Sequence, residues 1–265
     1  VQNDDSAAVT IADVNVAENV AGRTATLTLT LDNAVQGGFA VDASTSDGTA
    51  TVAGSDYTAI SGQTLSFVGN AGETETVTVT LNNDAIAEGD EALTLGMSNL
   101  ASTSLSVGIS DTGMLTINDD DATTLTIADV SVAENSGPAV ITLTSDKAIA
   151  GGLTVDVSTS DGSATIADGD YTAVSSQTVS FTGTAGETQT INIPLGSDTK
   201  LEANETLTLS LGSVSRSGIT ITDTATVTVQ NDDSAAVTIA DVNVAENVAG
   251  GTATVTLSLD NAVQG

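Results

Sequence analysis

Residues 116–135 read TINDDDATTLTIADVSVAEN. Leu115 to Ile117 and Leu125 to Ile127 alternate apolar and polar residues, the period of a β-strand with one buried face. Between the two runs stand Asp119, Asp120 and Asp121. Adjacent carboxylates repel, and the chain has little to neutralise them: 35 Asp and Glu face 4 Lys and Arg, with no histidine and a net charge of -31. A strand that closes on three aspartates needs either water or a cation beside it.

The second half of the stretch recurs. VTIADVNVAEN at 9–19 becomes LTIADVSVAEN at 125–135 and VTIADVNVAEN again at 237–247. Residues 1–37 return as 229–265 with three changes: Arg23 to Gly251, Leu27 to Val255 and Thr30 to Ser258. Glu18, Glu134 and Glu246 are spaced by 116 and 112 residues, so the modules alternate A, B, A. Units of this length match a β-sandwich domain and not a short solenoid repeat. The expected division is 1–5 as the end of a preceding module, 6–121 as module A, 122–233 as module B, and 234–265 as the start of a further A-type module. Both ends are expected to be cuts through a longer array.

Inside each module the period stays at two, in TATLTLTL (24–31), TETVTVTL (74–81) and the runs 141–144, 188–195 and 224–229. Turn residues separate the runs: Gly37-Gly38, Asp47-Gly48 and 69–72, with counterparts at Gly151-Gly152, Asp161-Gly162 and 183–186. About seven strands per module and no helical stretch predict an all-β chain of tandem antiparallel, immunoglobulin-like β-sandwiches. With 40 % hydrophobic but only 2 % aromatic residues, the cores are aliphatic. Phe67 and Phe181 are expected in them, as are Tyr57 and Tyr171, each with its hydroxyl on a backbone group.

Composition excludes several chemistries. So acidic a chain does not suit nucleic acid or anionic membrane as partner. Without cysteine there is no disulfide, thiolate metal site or cysteine nucleophile. Without histidine the commonest general base and zinc ligand are missing. No apolar run has membrane-spanning length, so no membrane insertion is expected within the sequence.

The acids are not evenly spread. Each module carries an acid before tyrosine (Asp56, Asp170), a loop spaced D-x-x-x-E-x-x-E (Asp84, Glu88, Glu91; Asp198, Glu202, Glu205) and a glutamate after VA (Glu18, Glu134). Each ends in an acidic strand terminus, NDDD or QNDD. The same spacing returns in modules whose other residues have diverged. Asp13, Asp32, Asp42, Glu73 and Glu75 lack such company and read as solubilising acids.

VAEN, STSDGTA, SDY, the acid loop and a terminal TINDDD, in this order over about 110 residues, resemble the Calx-beta domain. That family includes calcium-binding regulatory domains of sodium–calcium exchangers and repeats of large bacterial surface proteins. The resemblance implies calcium at one end of each sandwich. In module A its ligands would be Glu18, Asp56, Asp84, Glu88, Glu91, Asp119, Asp120 and Asp121, with the carbonyl of Ile86. In module B they would be Glu134, Asp170, Asp198, Glu202, Glu205, Asp232 and Asp233. There Lys200 stands at the carbonyl position and Asn231 replaces the first terminal aspartate, so module B is expected to hold fewer ions or to hold them more weakly. Asp47 and Asp161 match the family motif but read as turn residues.

The physical case agrees. Calcium takes six to eight hard oxygens in flexible geometry, whereas magnesium demands a tighter octahedron. Module A has sixteen acids, eight of them in the proposed set, and its only cation is Arg23. Each like-charge pair about 4 Å apart costs roughly 1 kcal/mol in water and about 4 at an intermediate dielectric. A divalent cation would offset this. The expected function is a calcium-stiffened structural repeat of a secreted bacterial surface adhesin, matrix protein or extracellular filament. Its partners would be neighbouring repeats or identical chains. The alternative is a calcium-sensing module coupled to an effector elsewhere. Catalysis is not expected.

Overall fold

The computed structural model describes residues 5–264 apart from positions 102, 104, 217, 222, 223 and 248. The expected tail of a preceding module thus lies outside the described residues except for Asp5. The chain divides into two compact units, Val1–Ala122 and Thr123–Gly265. The first is module A, and the second holds module B followed by residues 234–265.

Module A is a sandwich of two sheets. One sheet runs Thr74–Thr80, Thr24–Leu31, Ala7–Ile11, Val107–Gly108, and the other Val14–Ala17, Thr112–Asn118, Glu91–Ala101, Phe39–Ser46, Gln63–Phe67. The first and last segments each break and serve both sheets. Counting each broken run once gives seven strands in these two sheets among the described residues. Module B repeats the order: Thr188–Ile193, Ala139–Ser145, Thr123–Ile127, Ile219–Ile221 in one sheet, and Val130–Ala133, Thr224–Gln230, Glu205–Val214, Leu153–Asp161, Gln177–Phe181 in the other. Pairing within the sheets is antiparallel except where the first segment meets the last. Val14–Ala17 runs parallel to Leu115 to Asn118, and Val130–Ala133 parallel to Val227 to Gln230. Periodicity cannot reveal strand direction, and this parallel contact organises the acidic end described below.

Alternation does the packing. In Thr24–Leu31 the residues Leu27, Leu29 and Leu31 are fully buried while the threonines between them turn outward. They meet Val77, Val79, Leu93, Leu95 and Leu115 in one aliphatic core. Burying each such side chain contributes about 1.5–3 kcal/mol. Phe67 lies in this core, stacked on Phe39 with ring centroids 4.9 Å apart. Ile141, Leu143, Ile191, Leu207, Leu209 and Phe181 form the equivalent core of module B.

Tyr57 and Tyr171 are buried, but their hydroxyls do not reach the backbone. They donate to Asp47 Oδ1 at 2.7 Å and Asp161 Oδ1 at 2.6 Å. The carboxylate of each turn lies within reach and accepts more strongly than a carbonyl already engaged in the ladder. Among the acids read as solubilising, several are structural. Glu73 accepts the N–H groups of Val68, Gly69 and Asn70. Asp32 caps Ala8 at 2.6 Å, Asp13 accepts Met114 N–H at 2.8 Å, and Asp42 is held by Thr64 and Asn99. The loop closed by Glu73 requires glycine at 69: φ is +99°, and a Cβ there would lie 2.0 Å from the Val35 carbonyl oxygen.

After module B, Val237–Ile239 pairs antiparallel with Leu257–Leu259, both strands exposed. The register Val237 to Leu259 repeats that of Val9 to Leu31 in module A.

Candidate metal centres

Strand direction brings the acids together. Since Val14–Ala17 and Thr112–Asn118 run parallel, with Ala17 opposite Asn118, both end at the same edge of the sandwich. Glu18 and the aspartates from 119 onward therefore emerge side by side, and Glu18 N–H donates to the Asn118 carbonyl at 2.9 Å. Glu91–Ala101 is antiparallel to the last strand with Glu91 opposite Ile117, so it begins where that strand ends. Tyr57 bridges Leu81, and Asn82 N–H donates to the Asp56 carbonyl at 3.0 Å, which fixes Asp56 at the mouth of the acid loop.

Two triads of carboxylates result in module A: Glu18, Asp119 and Asp121, then Asp56, Glu88 and Glu91. In each, one oxygen from every residue lies within 4.8 Å of the others. Module B builds a similar pair from Glu134, Asp232 and Asp233, then Asp170, Glu202 and Glu205. Its framework follows the same plan. Ala133 stands opposite Gln230, Glu205 opposite Val229, and Gly196 N–H donates to the Asp170 carbonyl at 2.8 Å.

The remaining predicted residues support the triads. Asp84 N–H donates to Glu18 Oε1 at 2.8 Å, and Asp84 Oδ1 accepts Ile86 N–H at 2.8 Å, fixing the loop's first turn. Asp198 does the same with Glu134 at 2.9 Å and Lys200 N–H at 2.6 Å. Asp119 accepts Glu88 N–H at 3.2 Å, and Asn231 takes over that bond from Glu202 at 3.0 Å. The amide oxygen thus replaces the carboxylate as a fastener of the loop without its charge, and Asp232 joins the triad instead. Asp120 accepts a hydrogen bond from the Asn19 side chain, as Asp232 does from Asn135. Ile86 is half-buried at the loop's centre. Lys200 directs its ammonium to Glu202 in an ion pair.

Sequence reasoning passed over four further residues at these sites. Asn19 and Asn135, the last letters of VAEN, were legible from the motif itself. Asp168 lines the module B cavity, where module A has Gly54. Asn118 Oδ1 is buried without a hydrogen-bond partner, one residue before Asp119.

Electrostatics at the acidic end are unfavourable. Glu18 and Glu134 are 6 % and 7 % exposed. Burial raises the Glu18 carboxyl above its ordinary value, against the lowering effect of the Asp84 N–H. Glu88 and Glu91 are pushed up to about 7, first by burial and then by neighbouring carboxylates, Asp56 foremost. Asp119, Glu134, Glu205 and Asp233 are raised too, again chiefly by burial. Without a counter-ion, Glu88 and Glu91 are therefore partly protonated near neutral pH.

The donor set fits a hard divalent cation. Every side-chain donor is oxygen, as calcium or magnesium prefers and zinc or copper does not. Oxygens on opposite sides of a calcium ion stand about 4.6–5.2 Å apart, twice the usual bond length, so oxygens within 4.8 Å of each other can share one ion. The cavity lined by Glu134, Asp170, Asp198, Glu202 and Glu205 is about 150 Å³, against about 10 Å³ for its counterpart in module A. Module B therefore has room for waters alongside an ion.

The Calx-beta domain model matches residues 2–121 and again 116–243, and the chain belongs to the Calx-beta family. The two matches overlap on 116–121, the aspartate-rich strand end itself. Calx-beta domains are calcium-binding modules. Comparison with curated protein sequences finds no match. Among solved structures the chain is similar to CBD12 from CALX1.2, at 16 % identity and TM-score 0.38 over 84 % of this chain and 100 % of that one. It is similar also to the apo-form Calx CBD1 domain, at 21 % identity and TM-score 0.38 over 43 % and 98 %. The calcium binding domain CBD12 of CALX1.1 aligns at 19 % identity and TM-score 0.37 over 78 % and 79 %.

Proposed function

We propose that this chain is a stretch of a calcium-stiffened structural repeat protein, exported to the cell surface as part of an adhesin, a matrix protein or a filament. One observation carries the reading: a pair of carboxylate triads forms in each of modules A and B, at the end from which the chain leaves for its next module. Two calcium ions per module would draw the opposed charges together. In module A, Glu18, Asp119 and Asp121 would hold one, and Asp56, Glu88 and Glu91 the other. Module B would use Glu134, Asp232 and Asp233 for one and Asp170, Glu202 and Glu205 for the other. Asp84 and Asp198 orient the buried glutamates, while Asp119 and Asn231 keep the acid loop against the strand end.

Only Ala122 separates Asp121 from Thr123–Ile127, so order imposed at the triad extends to the start of the next strand. Near-identity of residues 1–37 and 229–265 favours a repetitive structural role over a regulatory pair, in which modules diverge. Extracellular calcium and a cysteine-free, strongly acidic surface suit that setting.

Small-angle scattering of the chain in calcium and in chelator tests this directly. The expected result is a longer maximum dimension and a narrower spread of conformations with calcium. Identical curves in the two conditions would refute the stiffening role.

A further inference from the structure

The acid loop of module B carries a second set of contacts. Leu201 N–H donates to the Ala262 carbonyl at 2.8 Å, and Gln264 N–H donates to the Leu201 carbonyl at 2.9 Å. Leu201 and Val263 thereby form a parallel bridge. Leu201 sits between Lys200 and Glu202, so the segment that begins the next A-type module is laid along the metal loop itself.

The side chain of Gln264 then reaches into the site. Its Nε2 donates to Glu205 Oε1 at 2.7 Å, and its Oε1 accepts Ala203 N–H at 3.3 Å. Glu205 is 7 % exposed and belongs to the triad with Asp170 and Glu202. Glu202 has the Lys200 ammonium beside it, and Glu205 has this neutral amide. A carboxylate offers about four lone-pair positions, so an oxygen that accepts one N–H can still face a cation. The amide therefore holds the ligand in place without competing for the ion.

We propose that residues 262–264 of an incoming A-type module form a docking strap for the metal loop of module B, with Gln264 as the positioning residue for Glu205. Calcium at the second triad and docking of the strap then favour each other equally, because coupling between two binding events is reciprocal. The strap adds an extended segment to an exposed loop edge, a mode in which main-chain bonds give affinity and one side chain gives selectivity. That selectivity is written in the repeat: the position holds Gln36 in module A and Gln264 at the next A-type start, but Ala150 in module B. Modules that begin like A carry the amide, and those that begin like B do not.

The proposal rests on the calcium reading, and its test separates the two. The full 265-residue chain and its Gln264→Met variant, which keeps the volume and loses both hydrogen bonds, are titrated with calcium by NMR. The amide signals of Glu88 and Glu202 report modules A and B separately. The expected outcome is about tenfold weaker binding at module B in the variant, with module A unchanged. In the unmodified chain, calcium should also slow hydrogen exchange at the Gln264 amide by a similar factor. Unchanged module B affinity, or a Gln264 amide that exchanges at one rate with and without calcium, overturns the coupling while the calcium reading stands. If calcium moves neither module's signals, both fall together.

Discussion

Glu18 Oε1 accepts the Asp84 N–H at 2.8 Å, joining the end of the first strand segment to an acid loop sixty-six residues later. The bond needs an acceptor, not a charge. Glu18→Gln keeps a carbonyl oxygen for Asp84 while removing one buried negative charge from the first triad. In chelator the variant should melt at the same temperature as the parent or slightly above it. Its calcium affinity at module A should fall about tenfold or more, since affinity follows the number of charged ligands. Equal calcium affinity in a calorimetric titration would remove Glu18 from the ligand set.

On the proposed reading, protons and calcium would compete for the second triad. Glu88 and Glu91 titrate near 7 in the fold and near the ordinary 4.5 when unfolded. Between those values the folded chain holds protons that the unfolded chain has released, so raising the pH favours unfolding. In chelator, the contribution of these two groups to stability should be full near pH 4.5 and be lost as pH climbs through about 7. Saturating calcium, which binds the deprotonated form, should flatten or reverse that slope. Melting curves across this range decide the matter, and a metal-free midpoint that rises from pH 5 to 7.5 would contradict the assignment.

Lys200 places a positive charge where module A has Ile86. A monovalent cation about 6 Å from a divalent one costs roughly 1.4 kcal/mol even at the dielectric of water, a factor of ten in affinity. Lys200→Ile should therefore tighten calcium binding at module B by about tenfold and lower its stability in chelator, because Glu202 loses its ion-pair partner. Weaker or unchanged binding in the variant would show that the ammonium is no competitor of the ion.

Asp47 belongs to the family motif yet stands outside both triads, occupied by the Tyr57 hydroxyl and the Val52 N–H. Tyr57→Phe leaves a carboxylate short of one donor. It should cost about 1–3 kcal/mol of stability with calcium affinity within twofold of the parent. A large loss of affinity at preserved stability would make Asp47 part of the site.

How much of this was legible beforehand follows from what periodicity records. TATLTLTL announces which residues of Thr24–Leu31 face inward, and the core contains them. The recurrence of Asp84, Glu88 and Glu91 as Asp198, Glu202 and Glu205 marks the loop in the sequence itself. Alternation carries no sign of strand direction, so the parallel contact that brings Glu18 to Asp119 stayed hidden. Division of the acids into two triads depends on distances that spacing does not encode. Asp32 and Glu73 look like solubilising charges in sequence because the N–H groups they accept become neighbours only once the turns close.

The central claim is that the carboxylate triads are calcium sites that the fold depends on, and thermal unfolding tests it most directly. One sample of the 265-residue chain is melted at pH 7.5 in millimolar calcium and again in excess chelator. For a ligand at about 100 times its dissociation constant each site adds about 2.7 kcal/mol, so the midpoint should fall by ten degrees or more when calcium is withdrawn and return when it is restored. A midpoint that stays where it was would contradict the account.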